Sequence, residues 1–176
     1  MNISELESTI TEEDIRPIKI VTIAMTAGVL LFVAVSLYLY FFNNSGKVPN
    51  YDNSLIDTML IVLAAIFMTT TITSRVVAKS MLVGAKNFDE KSADKRKYIG
   101  LYSSQHIVKL AMAEGSALFG GVVFLLSVMN NQIYAASYNW LSLLPALFLV
   151  IHNIYLMPTK EKVIEILESA RRETSI

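Results

Sequence analysis

The sequence predicts an all-α integral membrane protein built as a bundle of four transmembrane helices. Of its 176 residues, 53% are hydrophobic and only 17% are charged. Four separate stretches each hold about 20 mainly apolar residues, the length that a helix needs to cross the hydrocarbon of a bilayer. These runs lack the alternation of barrel strands, so helices are the structure that satisfies their backbone in lipid. Because 15 basic residues balance 15 acidic ones, the bulk charge does not point to nucleic acid.

The predicted spans divide the chain into a membrane domain flanked by short polar segments. The first span is predicted to be retained, because an acidic segment precedes it and its apolar run is too long for a signal peptide. The predicted parts are a cytoplasmic N-terminal segment (1–17), a transmembrane domain (18–157) with spans 18–42, 55–74, 103–129 and 138–157 and a cytoplasmic loop (75–102), and a cytoplasmic C-terminal helix (158–176).

The basic residues predict the orientation of these spans. They are concentrated in the central loop and in the C-terminal tail, whereas the opposite side has Lys47 alone. The positive-inside rule therefore places both termini and the central loop in the cytoplasm. The basic residues on the predicted cytoplasmic side are Arg75, Lys79, Lys86, Lys91, Lys95, Arg96, Lys97, Lys160, Lys162, Arg171 and Arg172.

Two polar segments carry helix-capping signals. Thr11-Glu-Glu-Asp14 resembles a capping box in which Asp replaces the usual Glu, just before span one. Thr159 is placed to cap a C-terminal helix whose apolar face includes Val163 and Leu167. That face is expected to lie on the membrane surface or on the protein, with a solvated tail helix as the alternative.

Span three aligns on span one at a constant offset of 87 residues. Nine of the 21 positions from 19 to 39 are identical in the two spans, and their spacing follows the helical period, so they form one stripe on each helix. The pattern indicates duplication of a two-helix unit, with convergent membrane composition as the alternative. The identical residues of the first copy are Ile20, Val21, Ala24, Met25, Gly28, Leu31, Phe32, Val35 and Leu39.

Small residues recur at four-residue spacing within this shared stripe. Such rows let helix backbones approach closely in lipid, where packing supplies much of the association energy. We therefore expect spans one and three to touch each other, or the equivalent helices of another copy. The predicted packing positions are Ala24 and Gly28 in span one and Ala111 and Gly115 in span three, with a second row at Ala113, Ala117 and Gly121.

One carboxyl group, that of Glu114, falls in the middle of span three. By the repeat it replaces Ala27, so only the second copy carries it. A charged group at mid-bilayer costs roughly 2.5–3.5 kcal/mol on insertion scales and marks a functional site by default. We expect Glu114 to be a proton or cation site, accompanied by His152, Asn153 and Thr70. The alternatives are a hydrogen-bonded glutamate that fixes helix register and a glutamate on a tilted, water-exposed helix.

His106 and His152 fall at similar depths near the cytoplasmic ends of spans three and four. Bis-imidazole haem ligation requires two histidines on facing helices, so haem or quinone binding near them is an alternative function. The simpler interpretation is that the two histidines are hydrogen-bonded within the protein or lie at the membrane–water interface. The sequence contains no cysteine and no phosphate-binding loop, zinc-protease motif or serine-nucleophile pattern. The leading prediction is thus a protein that is not an enzyme, with no catalytic residue, metal site or cofactor.

The run Ala111-Met-Ala-Glu114-Gly-Ser-Ala-Leu-Phe-Gly120 resembles the ion-carrying helix of the proteolipid (subunit c) of rotary ATP synthases. In that family a mid-membrane glutamate takes up and releases a proton, which implies the same role for Glu114. The whole chain is similar to uncharacterised small four-helix inner-membrane proteins of bacteria. That second resemblance implies a location in the bacterial inner (cytoplasmic) membrane.

These observations predict a small polytopic protein of a transport or energy-coupling complex, with Glu114 as its ion site. The alternative is a structural or accessory subunit without transport chemistry. The expected partners are the lipid bilayer and either further copies of this chain or other membrane subunits, and no nucleic acid.

Overall fold

The computed structural model describes residues 10–42, 48–84, 95–155 and 157–165, and every regular element among them is helical. The predicted all-α class is confirmed for these residues. A last helix begins at residue 160 and is described to residue 165. The other elements are α1 (Glu12–Phe42), α2 (Ser54–Gly84), α3 (Lys95–Met129), two 3-10 helices (Gln132–Tyr134 and Ser137–Leu143) and α4 (Leu144–Tyr155).

Three of the helices, α1, α2 and α3, are long and apolar enough to cross a membrane. They have 31, 31 and 35 residues, so each exceeds about 45 Å in length against a hydrocarbon core of roughly 30 Å. Large apolar side chains cover their outer surfaces, as shown by Leu31, Ile61 and Val76, which are 69%, 72% and 62% exposed. Continuous apolar surface of this kind favours lipid over water as the surrounding solvent.

The segment predicted as span four, 138–157, does not form one continuous α-helix. A seven-residue 3-10 helix leads into α4, which has only 12 residues. Asn139 and Ser142 of the 3-10 helix are fully buried, and Ser142 Oγ donates to the Asn139 carbonyl at 2.7 Å. Pro145 lies in the first turn of α4, where its missing N–H leaves no helical hydrogen bond unmade. The lengths of the two helices add up to about 32 Å, from ~14 Å of 3-10 helix and ~18 Å of α-helix.

The helices continue beyond the apolar segments that predicted them. α2 runs on to Gly84 and α3 begins at Lys95, so the described parts of the predicted loop 75–102 are helical. Hydropathy marks where a helix leaves hydrocarbon, and a helix need not end there. Residues 85–94 lie outside the described residues, as do 1–9 of the N-terminal segment and 166–176 of the C-terminal helix, including Leu167.

α3 is the centre of the bundle and packs against α1, α2 and α4. One buried apolar cluster joins α1, α3 and α4 at mid-height. Side chains of this kind exclude water and lipid alike, and they fix the three helices as one packing unit. The fully buried members of the cluster are Val29, Leu110, Ala117, Ala146 and Leu149.

A second cluster closes one end of the bundle and includes the C-terminal helix. Ile15 and Ile18 of α1, Tyr102 of α3 and Val163 of the last helix are buried against one another, together with Ile10. The apolar face of the C-terminal helix therefore lies on the protein, which is one of the placements predicted for it. The last helix returns to the end of the bundle at which α1 begins.

The capping signals are confirmed in the structure. The Asp14 carboxylate accepts hydrogen bonds from the Thr11 backbone N–H at 2.8 Å and from the Thr11 hydroxyl at 2.7 Å. In the usual capping box the Ser or Thr hydroxyl accepts the backbone N–H of the residue three positions later. Here the Asp14 N–H donates to the Thr11 carbonyl at 3.2 Å instead, and the Thr11 hydroxyl donates to the Asp14 carboxylate. At the C-terminal helix, the Thr159 hydroxyl accepts the Lys162 N–H at 3.4 Å.

Candidate functional site

Two threonines one turn apart on α1 bind polar groups of α3 and α4. Thr22 is only 1% exposed, and its hydroxyl donates to the Ile18 carbonyl at 2.8 Å. His106 Nε2 lies 2.9 Å from the same oxygen. A threonine hydroxyl has one proton to donate, so the His106 tautomer with its proton on Nε2 is the one that completes both contacts of Thr22.

Thr26 makes a similar pair of hydrogen bonds, with the side-chain amide of Asn153 in place of a histidine ring. The Thr26 hydroxyl donates to the Thr22 carbonyl at 2.7 Å and accepts from Asn153 Nδ2 at 2.6 Å. Asn153 is 6% exposed. The side-chain pairs Thr22–His106 and Thr26–Asn153 are joined through the Thr22 backbone carbonyl into one hydrogen-bonded group between α1, α3 and α4, which we call the polar centre.

Basic groups surround the polar centre. Lys109 and His152 lie close enough to His106 to interact with it electrostatically, and Arg75 and Lys109 interact likewise with His152. Lys109 and His152 are half-buried, whereas Arg75 is exposed.

Glu114, the predicted ion site, lies further along α3 and outside this hydrogen-bonded group. It is half-buried, and its carboxylate forms no hydrogen bond or ion pair with any residue that the structure describes. Thr70 also does not join the group, since its hydroxyl bonds the Ile66 and Phe67 carbonyls of its own helix at 2.8 and 3.2 Å. Of the predicted site residues, only Asn153 joins this hydrogen-bonded group. His152 interacts electrostatically with His106, and Glu114 and Thr70 lie apart from the group.

The histidines also stack on aromatic rings. The His106 and Tyr102 rings are 5.9 Å apart and nearly parallel at 14°, and His152 stacks on Phe148 at 5.5 Å. Haem ligation through His106 Nε2 would have to displace its hydrogen bond with Thr22. Within the described residues, no group of three or more His, Cys, Asp or Glu side chains is placed to hold a metal ion.

The four predicted packing positions face outward. Ala24, Gly28, Ala111 and Gly115 are exposed, and a Cβ placed on either glycine would meet no atom within 4 Å. None of the nine identical residue pairs of the repeat is buried on either helix. The small residues of the shared stripe are thus on the outer surface, whereas Met25, Phe32 and Leu39 of the same stripe pack inside the bundle. The expected contact with another copy stays a prediction.

Close packing inside the chain uses the second row of small residues instead. Ala117 is fully buried. A Cβ on Gly121 would lie 2.7 Å from the Phe32 ring, and one on the neighbouring Gly120 would collide with the Ser142 carbonyl oxygen. These glycines let α1 and the 3-10 helix before α4 approach the backbone of α3.

Sequence reasoning missed Thr22 and Thr26 as partners of the histidine and the amide. Their signal is present in the sequence, because two hydroxyl residues one turn apart interrupt an otherwise apolar run. Threonine is common in membrane helices as a group that bonds its own backbone, so the signal becomes specific only when a partner helix is placed beside it.

Comparison with known proteins gives no relative from which a function could be transferred. No protein-family model matches the chain, and no curated protein or solved structure matches it.

Proposed function

We propose that this protein is a polytopic protein of the bacterial inner membrane whose chain crosses the bilayer four times, with both termini in the cytoplasm. Three helices of sufficient length and apolarity support the first three crossings. The return of Val163 to the end at which α1 begins supports the fourth, made by the 3-10 helix and α4. The excess of basic residues at this end supports its cytoplasmic orientation.

We further propose that Glu114 is a proton or cation site of a transport or energy-coupling complex. One observation carries this proposal: a half-buried carboxyl in an apolar helix has no hydrogen bond or ion pair among the described residues. Such a group is costly as a permanent anion in hydrocarbon and binds a proton or a cation instead.

The polar centre is the route that we propose between Glu114 and the cytoplasm. His106 precedes Glu114 by eight residues, which is about 12 Å along the axis of α3. His106 and His152 interact with each other electrostatically and lie toward the proposed cytoplasmic end. Histidine is the side chain best suited to pass protons near neutral pH.

Carbodiimide labelling of the protein in membranes tests the role of Glu114. A hydrophobic carbodiimide reacts only with a protonated carboxyl that lipid can reach. We expect one adduct at Glu114 and no adduct in Glu114→Gln. The matched control is Glu13→Gln, which changes an exposed carboxyl at the end of the bundle and should leave the adduct unchanged. Slower labelling in the presence of Na⁺ would identify a cation site.

The absence of labelling would contradict this proposal. Glu114 is only partly buried, so its own chain leaves part of its surface open to a lipid-soluble reagent. Covering of that surface by another copy or subunit is the one physical reason for protection, and it leads to the second candidate function.

The second candidate is a structural or accessory subunit, and the outward stripe on α1 and α3 favours it. The same pattern of small residues faces away from the bundle on two helices. It consists of Ala24 and Gly28 on α1 and of Ala111 and Gly115 on α3. Small residues on an outer surface permit close approach of a partner helix in lipid. A self-associated or co-purifying assembly, with an unlabelled Glu114, would favour this function over ion exchange.

A further inference from the structure

The end of the bundle opposite Val163 contains a group of buried oxygen atoms that accept no hydrogen bond. Among the described residues, all buried side-chain polar atoms without a partner are oxygens, and all of them lie at this end. We call this group the amide layer. It consists of Asn53 Oδ1, Ser127 Oγ, Asn131 Oδ1, Gln132 Oε1 and Asn139 Oδ1.

Hydrogen bonds tie the amide layer together and use its nitrogen atoms. Gln132 Nε2 donates to the Asp52 carbonyl, beside Asn53 in the chain. Asn139 Nδ2 donates to the Gln132 carbonyl at 3.2 Å. The Asn131 carbonyl in turn accepts the Asn50 N–H at 3.3 Å. The side-chain nitrogens of Gln132 and Asn139 are thus engaged, and their side-chain oxygens remain without a partner.

Three members of the layer are more than nine-tenths buried. Gln132 is 4% exposed, and Asn139 and Ser127 are fully buried. A buried acceptor without a donor is destabilising, and native proteins keep such atoms few. Five of them at one end of a small bundle therefore indicate an occupant that supplies positive charge or protons.

The charge at this end favours a cation. The described residues from 48 to 57 and from 127 to 143 include Asp52 and Asp57 but no lysine, arginine or histidine. The Asp57 carboxylate accepts a hydrogen bond from the Tyr138 hydroxyl at 2.6 Å. Tyr138 precedes Asn139 in the chain, so this bond places a carboxylate beside the segment that holds the amide layer.

We propose that the amide layer binds a hard divalent cation of the Ca²⁺ class. Ca²⁺ takes six to eight oxygen ligands, including carboxylates and the carbonyl oxygens of Asn and Gln, in a flexible geometry. The amide layer offers four amide carbonyl oxygens and one hydroxyl oxygen from three parts of the chain, and Asp52 and Asp57 lie in the same segment as Asn53. The ion would connect the start of α2 to the end of α3 and to the 3-10 helices that follow. Because most of the ligands are neutral, the site is a weak one, with a dissociation constant of about 10⁻⁴–10⁻³ M.

Titration of the full chain in detergent with CaCl₂ tests the proposal. The single tryptophan, Trp140, adjoins Asn139 and packs on Tyr40 and Phe124 at ring distances of 5.2 and 4.9 Å. Its fluorescence therefore reports on the amide layer. We expect a saturable change at about millimolar Ca²⁺, reversed by a chelator and accompanied by a rise of a few degrees in the melting temperature. Mg²⁺ should act more weakly, because it demands a smaller octahedral site and dehydrates reluctantly.

A gain-of-affinity variant keeps the test independent of folding defects. Asn131 has a φ of 60°, a conformation that Asp also tolerates. Asn131→Asp should therefore keep the backbone, add a carboxylate and tighten Ca²⁺ binding by about tenfold, since affinity follows the ligand charge count. Asn130→Asp is the matched control, because it adds the same charge at an adjacent exposed position. Ser127→Ala, which removes one oxygen and little volume, should weaken binding.

Two results would overturn the proposal. One is a Trp140 signal and melting temperature that respond to CaCl₂ no more than to NaCl of equal ionic strength, which would identify an amide layer hydrated by buried water. The other is an equal change of Ca²⁺ affinity in Asn131→Asp and Asn130→Asp, which would indicate general electrostatic attraction rather than ligation.

Discussion

Gly115 and Gly120 of α3 are five residues apart and have opposite surroundings. A Cβ on Gly115 would meet nothing within 4 Å, whereas one on Gly120 would collide with the Ser142 carbonyl oxygen. We expect Gly120→Ala to destabilise the protein by about 1–3 kcal/mol, because backbone on both sides must move apart. Gly115→Ala should be neutral or slightly stabilising, since alanine favours a helix by about 0.5–1 kcal/mol over glycine. Thermal unfolding in detergent measures both, and equal effects of the two substitutions would contradict the packing at Gly120.

At the residue scale, periodicity identified the small residues of α3 but not their direction. In a water-soluble helix, polar residues mark the outer face. In a membrane helix both faces are apolar, so hydropathy does not distinguish Gly115, which faces outward, from Gly121, which packs on Phe32. The partners of His106 and Asn153 were unpredictable for a related reason. They depend on how α1 is rotated against α3 and α4, and a single sequence does not encode that rotation in its hydropathy.

The stability of the start of α2 should depend on pH. Asp52 Oδ1 accepts hydrogen bonds from the Ser54 hydroxyl at 2.8 Å and the Ser54 N–H at 3.2 Å. These bonds, the hydroxyl first, hold the pKa of Asp52 below its ordinary value. A lowered folded-state pKa means that the carboxylate's contribution is fully present above the unfolded pKa of about 3.9 and is lost as the pH falls through the lower folded value.

The variant Asp52→Asn isolates this effect, because its side chain keeps an acceptor oxygen but does not titrate. We expect the wild type to be the more stable protein near neutral pH. The difference in melting temperature between the two should narrow as the pH falls below about 4, where the wild-type side chain also becomes neutral. A difference that stays constant down to the most acidic pH would show that the charge of Asp52 does not stabilise the start of α2.

At the element scale, the sequence was sufficient for the three long helices and insufficient for the fourth segment. Long apolar runs bounded by polar turns specify α1, α2 and α3 with little ambiguity. The 3-10 helix before α4 depends on tertiary contacts, because Asn139 donates to the Gln132 carbonyl and Ser142 approaches Gly120. Hydropathy registers this segment as an apolar run with scattered polar residues. The amide layer was likewise not predicted, since exposed amides between helices are far commoner than buried ones.

At the scale of the whole molecule, contacts at both ends fix the path of the chain. Val163 packs with Ile15 and Ile18 at the end where α1 begins. At the other end, the Tyr134 hydroxyl donates to the Tyr40 carbonyl at 3.3 Å, and the two rings stack. The segment between Tyr134 and Val163 therefore runs the length of the bundle, although its helical form changes on the way. An even number of lengthwise passes brings the described N-terminal and C-terminal segments to one end.

Cysteine accessibility measures whether these passes are membrane crossings. The chain has no cysteine of its own, so each introduced thiol reports without background. We expect Glu13→Cys and Glu165→Cys, both at exposed positions, to react with a membrane-impermeant maleimide only in inside-out vesicles. Asn50→Cys, exposed between α1 and α2, should react only in intact spheroplasts. If the segment after α3 stayed on one side of the membrane, Glu165→Cys would react from the same side as Asn50→Cys. That pattern would require the buried cluster of Val163, Ile15 and Ile18 to separate across a bilayer, so one labelling experiment tests both the topology and the packing that predicts it.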